Sequence, residues 1–359
     1  MQRRHLLGSS ALALLGAHAP GWAQGAAARA DAASDRVLIL IELKGGNDGL
    51  NTVVPYADAA YYQLRNSVAI AKDAVLKIDS TVGLHPELKP LLPLWEGKDL
   101  AIVQGLGYPQ PNLSHFRSIE IWETASKPNE YLDQGWVGRA MREGGLGART
   151  NFTAEGVLIG ASDFGAMAGA RAVSLNNPEA FVNQARFANA PQAQGNAALQ
   201  HLLRVENNIT QAAAGLAREK FAFTTVFPPG GFGNSVRAAA QIVASQRGRA
   251  GVPVMTLTLG SFDTHQGQLG VHANLLKQLA EGLVALKGAL TELGAWDRTL
   301  VMTYSEFGRR PKQNQSNGTD HGTAAPHFVA GGAVKGGALY GAAPDLGRLD
   351  GTQNLAHTT

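Results

Sequence analysis

Four apolar runs, each ending in a glycine-bearing polar turn, constrain this chain more than any other feature. Val37–Ile41, Leu100–Gln104, Val252–Leu259 and Thr299–Tyr304 are of strand length and rich in β-branched and aliphatic side chains. A strand covered by helices on both faces reads this way, because neither face meets water. Between the runs lie segments with helical apolar spacing, notably Arg237–Gln246 and Leu275–Leu293. Strands alternating with helices predict an α/β fold, a mostly parallel, doubly wound sheet with helices packed on it. The runs at 37–42, 100–104, 253–259 and 299–304 are expected in one sheet with their carboxyl ends on one edge. Open sheets of this kind bind their ligands at that edge.

The turns after the runs carry the chemistry. The first delivers Gly45-Gly46-Asn47-Asp48-Gly49-Leu50-Asn51. Two glycines let the backbone pass close to a ligand, and Asp48 and Asn51 offer oxygen donors. Gly-Asn-Asp-Gly is also an ordinary turn. Beyond the second run, Ser114-His115-Phe116-Arg117 precedes Ile119, Ile121 and Trp122 at helical spacing. Ser114 reads either as the N-cap of that helix or as a nucleophile at its positive end, with His115 beside it. The third run ends in Asp263-Thr264-His265, with His272 on the following helix. The fourth ends in Ser305-Glu306-Phe307-Gly308-Arg309, followed by a polar loop, Asp320-His321 and His327. A single Asp-x-His is often only a hydrogen-bonded pair; recurrence at several strand ends argues for a site. The chain has no cysteine, so a metal must be held by His, Asp, Glu or Asn. That favours zinc, manganese, magnesium or calcium.

With 359 residues the chain can bury a large core, as one α/β domain or two smaller ones. Its formal charge is only +3 and its basic residues form no long block, which speaks against a nucleic-acid partner. The start reads as an address. Arg3-Arg4-His5-Leu6-Leu7, a short apolar segment over 11–17 and Gly21-Trp22-Ala23 resemble a twin-arginine export signal. An ordinary secretory signal with two arginines at its head is the alternative. The apolar segment is too short to span a membrane. Cleavage is expected near Gln24, a flexible lead-in to 36, and a periplasmic or secreted protein from there. The weakly patterned stretch 145–235 is expected to be an insertion covering the site.

Several ordered segments, GGNDGLNTVVPY, SHFRSIEIWE, GWVGRA, GSFDTHQGQ, SEFGRR, GTDHG and GGAVKGG, resemble the exported bacterial proteins of domain of unknown function family 1501. The resemblance runs from Val37 to the end of the chain. That family is similar to the alkaline phosphatase and sulfatase superfamily. The resemblance therefore implies an alkaline-phosphatase-like α/β/α sandwich over 37–359 with a one- or two-metal hydrolytic site, and a further C-terminal helix beyond Thr359.

Carried onto this sequence, the resemblance makes Asp48 or Asn51 a metal ligand and Ser114 the nucleophile. Asp263, His265 and Glu306 become ligands, and Asp320, His321 and His327 supply the rest. Phe307 stands where a metal-binding histidine is expected, so either His321 takes its place or hydrolytic activity is lost. Asp263, His265, Glu306 and His321 should converge, with Asp48 or Asn51 and Ser114 nearby. Arg117 or Arg309 would balance an anionic substrate. The implied activity is metal-dependent hydrolysis of a phosphate or sulfate ester, small or polymeric. Its alternatives are a non-catalytic binding protein on a degenerate phosphatase fold and a structural calcium site.

Overall fold

Val37–Leu43 (β1) is the inner strand about which an eight-stranded sheet is assembled. The computed structural model describes residues 36–143, 154–161, 163–177, 180–181, 183, 221–246 and 252–358. The expected export signal and nearly all of the expected lead-in lie outside the described residues. The remaining strands are β2 (Leu100–Leu106), β3 (Gly156–Ile159), β4 (Ala172–Leu175), β5 (Val254–Leu259), β6 (Thr299–Tyr304), β7 (Ala325–Ala330) and β8 (Ala338–Tyr340). Their order is β8-β2-β7-β6-β1-β5-β3-β4. All run in one direction except β7, which pairs antiparallel with β2 and β6. The four apolar runs thus share a sheet, with their carboxyl ends on one edge.

Alternation along β1 shows why both faces are covered. Ile39, Ile41 and Leu43 point into the larger core, and Leu40 points into a smaller one on the other face. Helices α3 (Gly231–Ser245) and α4 (Gln268–Glu292) fill the first. Their buried residues, Val236, Ala239 and Val243 on one and Leu275, Leu279, Leu283, Leu286 and Leu290 on the other, recur at helical spacing. Each leucine so buried contributes roughly 1.5–3 kcal/mol. Helix α2 (Trp136–Glu143) closes the second face through Val137 and Met141. This is the expected α/β class, layered helix, sheet, helix.

A connection over residues 305–324 leads from β6 to β7, which runs against both its neighbours, β6 and β2. That connection holds an antiparallel ribbon, residues 309–313 against 319–321. A short helix spans Ala59–Leu64 and ends where Arg65 leaves helical geometry with its side chain buried. Within the stretch 145–235, β3 and β4 extend the parallel sheet beside β5, and most of the expected covering insertion lies outside the described residues.

Candidate metal centre

Register brings the strand ends level. Glu42 of β1 stands opposite Tyr304 of β6, and Leu43 opposite Leu259 of β5. Glu306, just past β6, is 1% exposed, and the Gly45 backbone N–H donates to both its carboxylate oxygens at 2.9 and 3.1 Å. Only glycine suits position 45. Its φ is +120°, and a Cβ there would lie 2.4 Å from the Asp263 nitrogen. Helix α1 (His115–Thr124) begins beside this carboxylate, and His115 Nδ1 is 2.8 Å from Glu306 Oε1.

Two further imidazoles arrive from the loop after β5 and from the ribbon. His265 Nδ1 lies 3.2 Å from Asp320 Oδ1, and His321 Nδ1 lies 2.8 Å from the Leu113 carbonyl oxygen. An oxygen that can only accept obliges the facing ring nitrogen to donate. All three Nδ1 atoms are engaged in this way, which turns each Nε2 inward as the nitrogen left to bind something. The three Nε2 atoms surround Asp263: His115 at 3.4 Å from Oδ2, and His265 and His321 each at 3.1 Å from Oδ1. His265 Nε2 and His321 Nε2 are 3.0 Å apart. The ligand atoms of His115, Asp263 and His321 all lie within 4.8 Å of one another.

These separations suit a cation. Bonds of about 2.0–2.2 Å to zinc place neighbouring ligand atoms roughly 3.0–3.6 Å apart. Two imidazole nitrogens 3.0 Å apart, each with its other nitrogen donating elsewhere, need a positive charge between or beside them. Of the three carboxylates about the imidazoles, Asp263 pairs with the Arg309 guanidinium, Asp320 feels the charge of Arg310, and Glu306 is held by the Gly45 N–H and His115. Burial on its own would raise the Asp263 pKa. The hydrogen bond and charge of Arg309, 2.6 Å away, outweigh it and hold the carboxyl down at about 2. Burial lowers the His321 pKa despite the opposing pull of the Leu113 carbonyl, so its ring is neutral and able to bind a metal. The Asn314 amide, ahead of His265, keeps Asp320 ionised. Asp263 is 44% exposed and His265 43%, so the cluster opens to solvent on one side.

Glu306 stands behind His115, its Oε1 against Nδ1, on the side away from the Nε2 atoms. His115, expected beside the nucleophile, joins Asp263 and His321 in the group that could hold a metal ion. Phe307, standing where a histidine was expected, is buried with its ring centroid 4.9 Å from that of His115 and 4.4 Å from that of His321. It serves as the floor on which both imidazoles rest. Asp48 and Asn51 are fully buried and engaged elsewhere. Asp48 Oδ2 is 2.5 Å from Arg65 and Asn51 Oδ1 is 2.8 Å from it, while the Asn51 amide donates to the Val68 carbonyl.

Arg117 is committed to the carbonyls of Lys127, Pro128 and Glu130 and to Glu120, and Arg309 to backbone carbonyls as well as Asp263. His327 is buried in β7 against Trp122, away from the other imidazoles, and burial alone takes its pKa down to about 4. Ser114 holds the N-cap position of α1, yet its side chain makes no capping hydrogen bond and is exposed. It sits between Leu113, whose carbonyl holds His321, and His115. Arg65 and the Leu113 carbonyl were not singled out from sequence. A lone arginine amid the apolar residues of 61–70 was the available signal for the first; a backbone carbonyl leaves none.

Fold and site together define an α/β protein with an open His/Asp candidate metal centre at the carboxyl edge of its sheet. Residues 104–357 match the family model described as "Protein of unknown function (DUF1501)", and the chain belongs to that family. No curated protein matches it. Among solved structures it is similar to the C-terminal periplasmic domain of EptC from Escherichia coli in complex with zinc. Identity there is 9%, coverage 83% of this chain and 74% of that one, and TM-score 0.40. It is also similar to the lipoteichoic acid synthase LtaP from Listeria monocytogenes, at 10% identity, 86% and 68% coverage and TM-score 0.38. A third is the PsFucS1 sulfatase from Pseudoalteromonas sp., at 10% identity, 89% and 66% coverage and TM-score 0.37. Likeness at this level leaves the chemistry of the site to the chain's own residues.

Proposed function

We propose that this chain is an exported, metal-dependent hydrolase of phosphate or sulfate esters. One observation carries the reading: three imidazoles, each with Nδ1 held by an acceptor, turn their Nε2 atoms on one carboxylate. His115, His265, His321 and Asp263 would hold the ion. All are nitrogen or oxygen donors, which fits zinc, with manganese, magnesium and calcium as alternatives. Such an ion would polarise the ester oxygen and ease deprotonation of the attacking hydroxyl or water. Glu306 would keep the His115 ring turned so that its Nε2 faces the ion, and Asp320 and Leu113 would do the same for the other two. Arg309 fixes the Asp263 carboxylate without occupying its outer face. Ser114, exposed and uncapped between two residues of the cluster, would supply the nucleophilic oxygen.

The test is metal content measured on the purified protein together with turnover of generic aryl phosphates and sulfates. Zinc near one equivalent and turnover of one ester class are expected. Ser114→Ala should abolish turnover and leave metal content unchanged. A protein that takes up no divalent metal would sink the reading in favour of a non-catalytic binding protein. Export is tested separately. Replacing Arg3 and Arg4 by lysine should leave precursor in the cytoplasm, and unaltered export would exclude the twin-arginine route.

A further inference from the structure

Ser261 lies two residues ahead of Asp263, at the exit of β5, and its φ of +78° is left-handed without being a glycine's. Side chains hold this conformation at a cost, and such positions cluster at binding sites. Ser261 also borders a cleft of about 640 Å³, set between the ends of β3, β4 and β5, the first turn of α3 and one side of α4. That volume is within the range of small-molecule sites, roughly 300–1,000 Å³. Two residues span at most about 7 Å of chain, so the loop leaving β5 has the cleft at its start and the candidate metal ligands at its end.

The lining decides what the cleft can hold. Asn176, Asn234, Ser235, Ser261, Asn274 and Gln278 supply amides and hydroxyls, and no described residue lining it carries a charge. A charged ligand would find no counter-ion there, and an apolar one would strip water from the amides without replacing it. A ligand bearing neutral hydroxyls exchanges with those groups one for one, since amides and hydroxyls both donate and accept. The start of α3 adds donors. Its N-cap, Gly230, brings no side-chain acceptor, which leaves first-turn N–H groups free to meet a ligand oxygen.

We infer that this cleft is a subsite for an uncharged polyhydroxylated group, a sugar, whose ester reaches the Asp263–His265 side of the loop. The link to an ester rests on the hydrolase reading above; sugar binding itself does not.

The two are separated by titrating the full-length protein, with and without zinc, with a panel of neutral disaccharides (maltose, cellobiose, lactose) in a calorimeter. Saturable binding of at least one is expected. Asn274→Ala with Gln278→Ala should weaken it at least tenfold, with zinc content and unfolding temperature unchanged. If that pair fails to fold, Ser261→Ala is read alone, with a loss of about threefold or more expected. Absence of binding across the panel, or binding indifferent to these substitutions, overturns the inference. Sugar binding by a protein that takes up no zinc keeps the subsite and removes the hydrolase. Zinc uptake and aryl-ester turnover without sugar binding do the reverse.

Discussion

Asp48 and Asp263 arise from the same sequence device, a carboxylate in a glycine turn just beyond a buried strand, and the fold uses them in opposite ways. Asp48 and its partner Arg65 are both 0% exposed. The Arg65 guanidinium also donates to Asn51 and to the carbonyls of Pro311 and Arg310, the latter two on the ribbon that presents His321. That cluster is closed by an arginine and works as scaffold. Asp263 is 44% exposed and faces, besides Arg309, three imidazoles whose Nε2 atoms have no acceptor among the described residues but one another and Asp263 itself. A carboxylate in a turn is therefore a poor guide to metal binding; its access to solvent and the imidazoles turned on it are a better one.

The largest expected effect breaks the scaffold. Arg65→Ala leaves Asp48 buried without its counter-ion, and loss of one partner of such a pair costs about 3–5 kcal/mol. Urea unfolding of the metal-free protein should show it. Asp263→Asn should shift the same curve by no more than about 1 kcal/mol, as expected of a solvent-screened pair, since Arg309 keeps its carbonyl partners. Equal losses from both substitutions would erase the distinction between the two clusters.

A smaller effect sharpens the other side. Glu306→Gln removes the charge behind His115 and should weaken zinc binding about 10–100-fold, the usual cost of losing a supporting partner. His115→Ala removes the ligand itself and should cost more. Adding Glu306→Gln to His115→Ala should then cost little further, because the two act through one interaction. Competition with a chromophoric chelator reads all three. Additive losses would mean that Glu306 binds the metal directly.

The strands were legible because burial on both faces writes itself as unbroken apolar runs, as in Val37–Ile41 and Thr299–Tyr304. The gathering of His265, Asp320 and His321 was legible too, since each follows a strand or turn whose direction the runs set. What could not be read was the division of labour. Whether Glu306 touches a metal or stands behind His115 depends on Gly45, whose N–H holds both carboxylate oxygens from 261 positions away along the chain. The fate of Asp48 depended on Arg65, which no local pattern pairs with it. The parallel strand at 172–175 escaped notice because it is short and lies at the sheet's edge, where composition is less constrained.

The smallest expected effect compares the two aspartates through acid. For Asp48, burial pushes the pKa up, but Arg65 and its hydrogen bonds prevail and the value falls below the usual 3.8. A carboxylate depressed in the folded state contributes fully above its unfolded pKa and loses that contribution as pH falls through the folded value. Asp263, held at about 2, follows the same rule between 3.8 and 2. Its exposure lets solvent screen Arg309, so much less stability rides on it. Between pH 4 and 2.5 the metal-free protein should therefore lose stability along a slope that Asp48→Asn flattens and Asp263→Asn barely changes. Glu123 bends the curve the other way. Burial, reinforced by Glu42 and Asp163, raises its pKa from 4.5 to about 8, so its contribution is lost as pH climbs through that interval. Urea midpoints at pH 2.5, 4, 6 and 8 resolve the two arms. An acid arm flattened by Asp263→Asn instead would place the tightly held carboxylate at the open cluster, and the assignment of scaffold and site would have to be exchanged.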